Sequence, residues 1–272
     1  MKAGRGGVLF WQLAILIVFI GAWEYLTGIK AISKTPGLYW IDPFFISRPS
    51  KIVERFLYLA SDKVRLSIWQ MALSTIQSTL WGFLVGISTG FVAGLVLGRN
   101  DRVARIFDPY IVAFNSLPRI ALVPLITMIF GFGLLAKIVL AWSIVFFIVF
   151  FNTFQGARSV DADLVNSARF LGARESQIMR TVVIPSALAW TFASLTPSIS
   201  FALIGVVVGE FIGGESGGGL GYLIIQSLGT LNAADMMVAL LTLGVIGIVM
   251  ALGIKQVEAR LLRWRPEYRN RP

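Results

Sequence analysis

An all-α integral membrane protein with six transmembrane helices is the fold class this sequence predicts, and three observations carry it. Of 272 residues, 56% are hydrophobic and only 14% charged, against roughly 25% charged in soluble domains; mean hydropathy is +0.78. Six apolar runs lie near 8–26, 71–97, 109–130, 134–154, 188–212 and 236–256, and a helix of about 20 residues crosses a hydrocarbon core of about 30 Å. Within the second run, Gly82, Gly86, Gly90, Gly94 and Gly98 recur every four residues. They share one helical face, and in lipid such a face lets another backbone come close, as a packing seam within one subunit or as a contact with a second one.

The chain has no cysteine and no histidine. Disulfides, thiolate nucleophiles, imidazole metal ligands and histidine general bases are therefore excluded, and no catalytic or metal site is expected. The net charge of +10 and the pI of about 10.3 do not point to nucleic acid, because that reading needs a basic patch on a soluble face. Here the charges fall mostly between apolar runs, where anionic headgroups and topology place them.

In chain order, residues 1–28 hold the first span. Its apolar part is longer than a signal-peptide core, and Trp23-Glu24-Tyr25 follows in place of a small-residue cleavage site, so a retained helix is expected. Residues 29–70 form an external loop, in which Pro49-Ser50-Lys51-Ile52-Val53-Glu54-Arg55-Phe56-Leu57 reads as an N-capped amphipathic helix at the interface. Residues 71–257 hold the other five spans. Between the last two, Gly213-Gly214-Glu215-Ser216-Gly217-Gly218-Gly219-Leu220-Gly221 lacks the Lys-Ser/Thr of a phosphate-binding loop; an external turn leading to a short helix from Leu220 to Leu228 is expected. Residues 258–272 are a basic tail.

Orientation follows the basic residues of short loops. Lys2 and Arg5, then Arg99, Arg102 and Arg105, then Arg158, Arg169, Arg174 and Arg180, and finally Lys255 through Arg271 all fall on one side. That side is assigned to the cytoplasm, with both termini there. The connection from Gly213 to Asp235 has no basic residue, as an external loop should. The exception is Lys30 to Arg65, external in this assignment, with seven basic residues.

Polar residues inside the spans are candidates for a translocation pathway. The third run holds Asn115, Ser116, Pro118, Arg119 and Pro124, where prolines free backbone groups that protein or a watery cavity must satisfy. Arg119 either faces such a cavity or snorkels to headgroups. The fifth run carries Thr191, Ser194, Thr196, Ser198 and Ser200 around Pro197. Thr196, Ser198 and Ser200 line a path for a polar solute, or their hydroxyls bond back to their own helix.

The segment from Phe154 to Ala187 is the most informative. A polar, helix-patterned loop of this length is more than a connector, since connections between membrane helices are usually short. Gly172 permits a sharp turn after Phe170-Leu171, whose apolar side chains could enter a partner's groove, and Pro185 opens the next helix where a missing N–H is tolerated. The loop resembles the EAA motif of ABC importer permeases: Glu-Ala-Ala, three residues, Gly, and a later Ile-x-Leu-Pro. The matching positions are Asn166, Ser167, Ala168, Gly172, Val182, Ile184 and Pro185, with Asn166 where the motif has glutamate. Leu117 through Leu125, Phe130-Gly131-Phe132-Gly133 and Gly205 through Gly221 are similar to the branch that imports nitrate, taurine and other alkanesulfonates.

That resemblance implies a type I ABC importer transmembrane domain in a bacterial cytoplasmic (inner) membrane. It implies a coupling helix in loop 156–187, with Asn166, Ser167, Ala168, Arg169, Phe170, Leu171, Gly172 and Pro185 at the ATPase contact. The implied partners are a second permease chain, expected as a homodimer, two ATPase subunits, an external solute-binding protein and membrane lipid. The chain itself binds no cofactor; ATP and magnesium belong to the ATPase. The rival reading is an ion-coupled secondary transporter or channel, which needs intramembrane carboxylates, whereas Glu24 and Glu210 fall near span ends. A membrane enzyme would need a catalytic pair, and without histidine or cysteine only scattered Ser and Asp remain.

Overall fold

The structure, a computed structural model, describes residues 5–29, 41–61 and 63–262; residues 30–40 of the loop expected to be external and 263–272 of the basic tail lie outside them. In chain order the helices are α1 (Arg5–Gly28), α2 (Pro43–Ile46), α3 (Pro49–Ala60), α4 (Ile68–Arg99), α5 (Asp101–Ser116), α6 (Val123–Phe130), α7 (Leu134–Arg158), α8 (Ala162–Phe170), α9 (Glu175–Ile178), α10 (Ile184–Gly217), α11 (Leu220–Gly229) and α12 (Ala233–Leu261). A 3-10 turn, Arg119–Leu122, precedes α6, and a π turn, Met179–Val183, precedes α10. The chain divides into two compact units, Met1–Met71 with Leu223–Leu243, and Ala72–Tyr222 with Gly244–Pro272.

In the first unit, α1 exposes Phe10, Trp11, Ile15, Ile17 and Phe19, as a helix facing lipid does. The N-cap expected for α3 comes from another helix. Pro49 is already helical, and Arg48 in the cap position makes no side-chain capping bond. The Glu24 carboxylate of α1 takes that role: it accepts from the Ser50 amide at 2.9 Å and the Ser50 hydroxyl at 2.8 Å, satisfying an orphan donor of the first turn. Trp23 Nε1 and Arg48 Nη2 add bonds to the carbonyls of Ser47 and Thr27. Farther along α3, Arg55 grips Asp235 of α12 with Nε and Nη2, both at 2.7 Å.

In the second unit the glycine ladder of α4 meets α7. A Cβ at Gly82, Gly86, Gly90, Gly94 or Gly98 would run into the side chain of Ala141, Val145, Val149, Thr153 or Ala157 respectively, each pair one turn beyond the last. The seam lies within one chain, and the two helices run in the same direction. An adjoining face of α7 receives α10, which runs antiparallel to it: Gly156 abuts Ala187 and Trp190, while Gly209 abuts Lys137 and Leu140. Phe83, Ala141, Val145, Val149, Leu195, Ile199, Ala202 and Val206 form the core between them, with Met250 and Ile254 of α12 packed against it. A Thr153–Thr191 hydroxyl contact at 2.7 Å clasps α7 to α10.

The parallel run of α4 and α7 fixes what lies between. The chain leaves α4 at Arg99 and enters α7 at Leu134, at opposite ends of the seam, so α5 and α6 carry it back across. Among the described residues, five helices are long and apolar enough to span, or six when α5 and the segment from Arg119 through α6, bent by 81°, are counted as one span. The expected single run 109–130 is thus a broken helix. Leu117, before Pro118, takes extended φ −69° and ψ 128°, as residues preceding proline do, and the chain resumes helix only after the 3-10 turn.

The ladder yields a first expectation. A Cβ at Gly90 would stand 2.7 Å from the Phe146 carbonyl oxygen, whereas Gly253 has nothing within 4 Å. Gly90→Leu should lower stability by about 1–3 kcal/mol through overpacking, with Gly253→Ala near neutral, as read by thermal unfolding of the purified protein.

Candidate functional site

Three places concentrate polar chemistry. At the loop end of the second unit, α8 begins on Asp161, whose carboxylate accepts from the Asp163 amide at 2.8 Å. It ends at Gly172, where φ is +82°; the Gly172 and Ala173 amides return to the carbonyls of Arg169 and Ala168, a left-handed C-terminal cap that favours glycine. The inner face is anchored by Val165, buried with Ala157, Ile178, Val183 and Ala187. The outer tip is bare: Phe170 is 92% and Leu171 89% exposed. Asn166, Ser167 and Arg169 are exposed and Ala168 is half-buried.

Arg169 Nε donates to Glu175 Oε1 at 2.6 Å, and Arg99 approaches the other oxygen at 3.7 Å. That hydrogen bond, with the charges of Arg169 and Arg99, holds the Glu175 carboxyl below its usual range. The exposed pair orders the tip more than it stabilises the fold. Beyond it, Ile184 N bonds back to the Met179 carbonyl, which closes the π turn, and Pro185 has no N–H for the carbonyl four residues earlier.

The second place is the break between α5 and α6. Arg119 Nη2 donates to Asn115 Oδ1 at 2.8 Å, and the guanidinium lies 4.7 Å from the Phe147 ring centroid. Its Nε is buried with no hydrogen-bond partner. Asn115 and Arg119 are thus brought together, whereas Ser116 bonds back to Val112. In α10, Ser198 is fully buried and donates to the Ser194 carbonyl at 2.7 Å, and Ser200 is exposed, 3.5 Å from the Thr196 carbonyl. The Thr196 hydroxyl is buried without a partner.

The third place was missed by sequence reasoning. At the opposite end of α7 from the loop, Lys137 Nζ lies 3.3 Å from Glu210 Oε1 and donates to Ser74 Oγ at 2.9 Å. Thr75 Oγ1 donates to the same carboxylate at 2.9 Å. The first amides of α11 complete the cluster: Gly221 N donates to Glu210 Oε2 at 2.9 Å and Leu220 N to Thr75 Oγ1 at 3.1 Å. Both charged side chains are almost wholly buried, 4% and 0% exposed. A Cβ at Gly219 would overlap the carboxylate, and one at Gly221 would stand 2.7 Å from the Val207 carbonyl. The apolar pattern puts Glu210 near a span end, where the structure places it four residues before Gly214, and there the side chain is fully buried beside Lys137. The available signal was Lys137, a lone cation within Leu134-Leu135-Ala136-Lys137-Ile138-Val139, since such a charge calls for a partner. Among the described residues, no group of three or more acidic side chains could hold a metal ion.

Removing one member of this pair leaves the other charge buried and alone. Glu210→Ala and Lys137→Ala should each cost about 3–5 kcal/mol, while Lys137→Met with Glu210→Gln should recover much of that loss. Thermal unfolding of the three variants checks this; equal loss in single and double variants would dismiss the coupling.

Residues 82–263 match the family described as "Binding-protein-dependent transport system inner membrane component". The chain is 29% identical over 265 residues to an aliphatic sulfonates transport permease protein, SsuC, of Bacillus subtilis, covering 95% of this chain and 89% of that one. It is 27% identical over 259 residues to the taurine transport system permease protein TauC of Escherichia coli, covering 94% and 90%. Among solved structures, an amino acid ABC transporter superposes with a TM-score of 0.59 at 18% identity, over 78% of this chain and 97% of that one, a likeness of fold. A multi-pass helical core matched over two thirds of its length by one family, with relatives along nearly all of it, has one reading: the chain belongs to the binding-protein-dependent transport system inner membrane components, the permease subunits of ABC importers.

Proposed function

We propose that this permease couples to separate ATPase subunits through the tip of α8 and carries a small organic anion, sulfonate- or taurine-like, delivered from outside by a solute-binding protein. The observation that carries the coupling is the bare pair Phe170 and Leu171, 92% and 89% exposed on a turn clamped by Gly172. Two large apolar side chains held out on a braced, otherwise polar helix suit a hydrophobic groove on a partner. The ATPases hold ATP and magnesium; two copies of this chain and two ATPases form the importer. The loop end is then cytoplasmic, as its arginines favour. ATP-driven closure of the ATPases draws the two α8 tips together and turns the central cavity outward.

Two things support an anionic solute. Arg119 is held on one arm by Asn115 and over a ring face, with a buried N–H still unpaired, and a guanidinium is the group that recognises sulfonate or carboxylate oxygens in fixed geometry. The relatives named above carry sulfonates and taurine in their names, and a sulfonate is an anion.

Phe170→Asp and Leu171→Asp should leave the permease folded, since both side chains are exposed, yet weaken ATPase association at least about thirtyfold, a contact of roughly 2 kcal/mol or more. Co-purification of the ATPase measures it, and undiminished co-purification removes α8 from the contact. Arg119→Ala should abolish uptake while ATPase co-purification persists; uptake at the parent rate would refute its role.

A further inference from the structure

We infer that the loop end of the second unit carries a binding site for an anionic phospholipid, seated between α4, α5, α7 and α8 with Arg158 at its centre. Two clefts meet there. One, of about 270 Å³, is polar and lined by Arg99, Arg158, Arg169 and Asn166. The other, of about 280 Å³, is lined by Phe150, Phe151, Phe154, Leu97 and Ile111, with Arg105 and Asp108 at its polar edge. Arg158 lines both, and its guanidinium lies 5.3 Å from the Phe154 ring centroid, at the junction of the apolar and polar walls.

This arrangement fits a lipid better than a free ion or a peptide. Three guanidinium groups and an amide line the polar cleft, against the one carboxylate of Glu175, which bonds Arg169, approaches Arg99 and is 62% exposed, so positive charge is in excess among the described residues. Opposite-sign complementarity therefore selects a phosphate-bearing headgroup. The aromatic cleft continues from the headgroup position along α7 toward the apolar span, as acyl chains do, and a peptide or inorganic phosphate would leave it unfilled. Basic pockets between membrane helices next to an apolar wall are where anionic headgroups are held. Asn166 adds no negative charge to the cleft at the position where the coupling motif has glutamate. The site rests on the chain spanning a bilayer and is independent of which solute crosses it.

The test uses the full-length protein with its associated subunits, extracted into detergent and offered phosphatidylglycerol or phosphatidylcholine, with retained lipid counted by native mass spectrometry. Phosphatidylglycerol should be retained at least about fivefold over phosphatidylcholine, the scale of one interfacial arginine. Arg158→Gln should erase about fivefold of that preference and Arg158→Lys should keep most of it. Helix content by circular dichroism confirms the fold, and Arg99→Gln reads the same preference should Arg158→Gln fail to fold. Equal retention of the two lipids, or an unchanged preference in the glutamine variants, overturns the site. Inorganic phosphate that displaces phosphatidylglycerol in full would show a free-oxyanion site and overturn the lipid. Retention lost only when the ATPase is bound would assign the cleft to an acidic face of that subunit and overturn the lipid equally.

Discussion

A buried carboxylate has to find its partners where it stands, and much of the second unit is arranged around Glu210. Burying one charge without its partner costs far more than the pair returns when intact, so Lys137 of α7, Thr75 of α4 and the first amides of α11 converge on it. Three helices and the start of a fourth are thereby located relative to one carboxylate. The same arrangement explains why glycine stands at 219 and 221: a side chain at either position would displace the acid or meet backbone. It also gives the re-entry of the chain into α11 a fixed point after the break at Gly214, where φ is 56°.

Close approach does the remaining work. Lipid offers no gain for hiding apolar surface, so helices hold through contact area and short polar bonds. The glycine face of α4 and the small residues between α7 and α10 permit that distance, and the Thr153–Thr191 hydroxyl contact adds polar attachment without charge. Of the α10 hydroxyls that could have faced a solute, Ser198 bonds the Ser194 carbonyl of its own helix, whereas Thr196 is buried without a partner.

The spans were legible because each is a local property: about twenty apolar residues are visible without knowledge of any neighbour. The glycine ladder showed one side of a contact and not the other, since Ala141 through Ala157 carry no sign that they are its partners. The loop tip was legible because the turn at Gly172 and the apolar pair before it lie within a few residues of each other. What escaped were long-range pairings. Lys137 and Glu210 lie 73 residues apart, and only packing brings them together. The cap of α3 by Glu24, 26 residues earlier, escaped for the same reason.

The seam between α4 and α7 has a mechanical consequence. Five notches on one helix receive five teeth of the other at identical spacing, from Gly82 against Ala141 to Gly98 against Ala157. Such a rack cannot creep; the next register lies four residues away, about 6 Å along the axis. The two helices therefore travel as one block whenever the protein changes state. Strain must collect where the chain is not geared, at the 81° bend before α6 and at the π turn from Met179 to Val183, which sits between the loop tip and α10 as the joint of a lever.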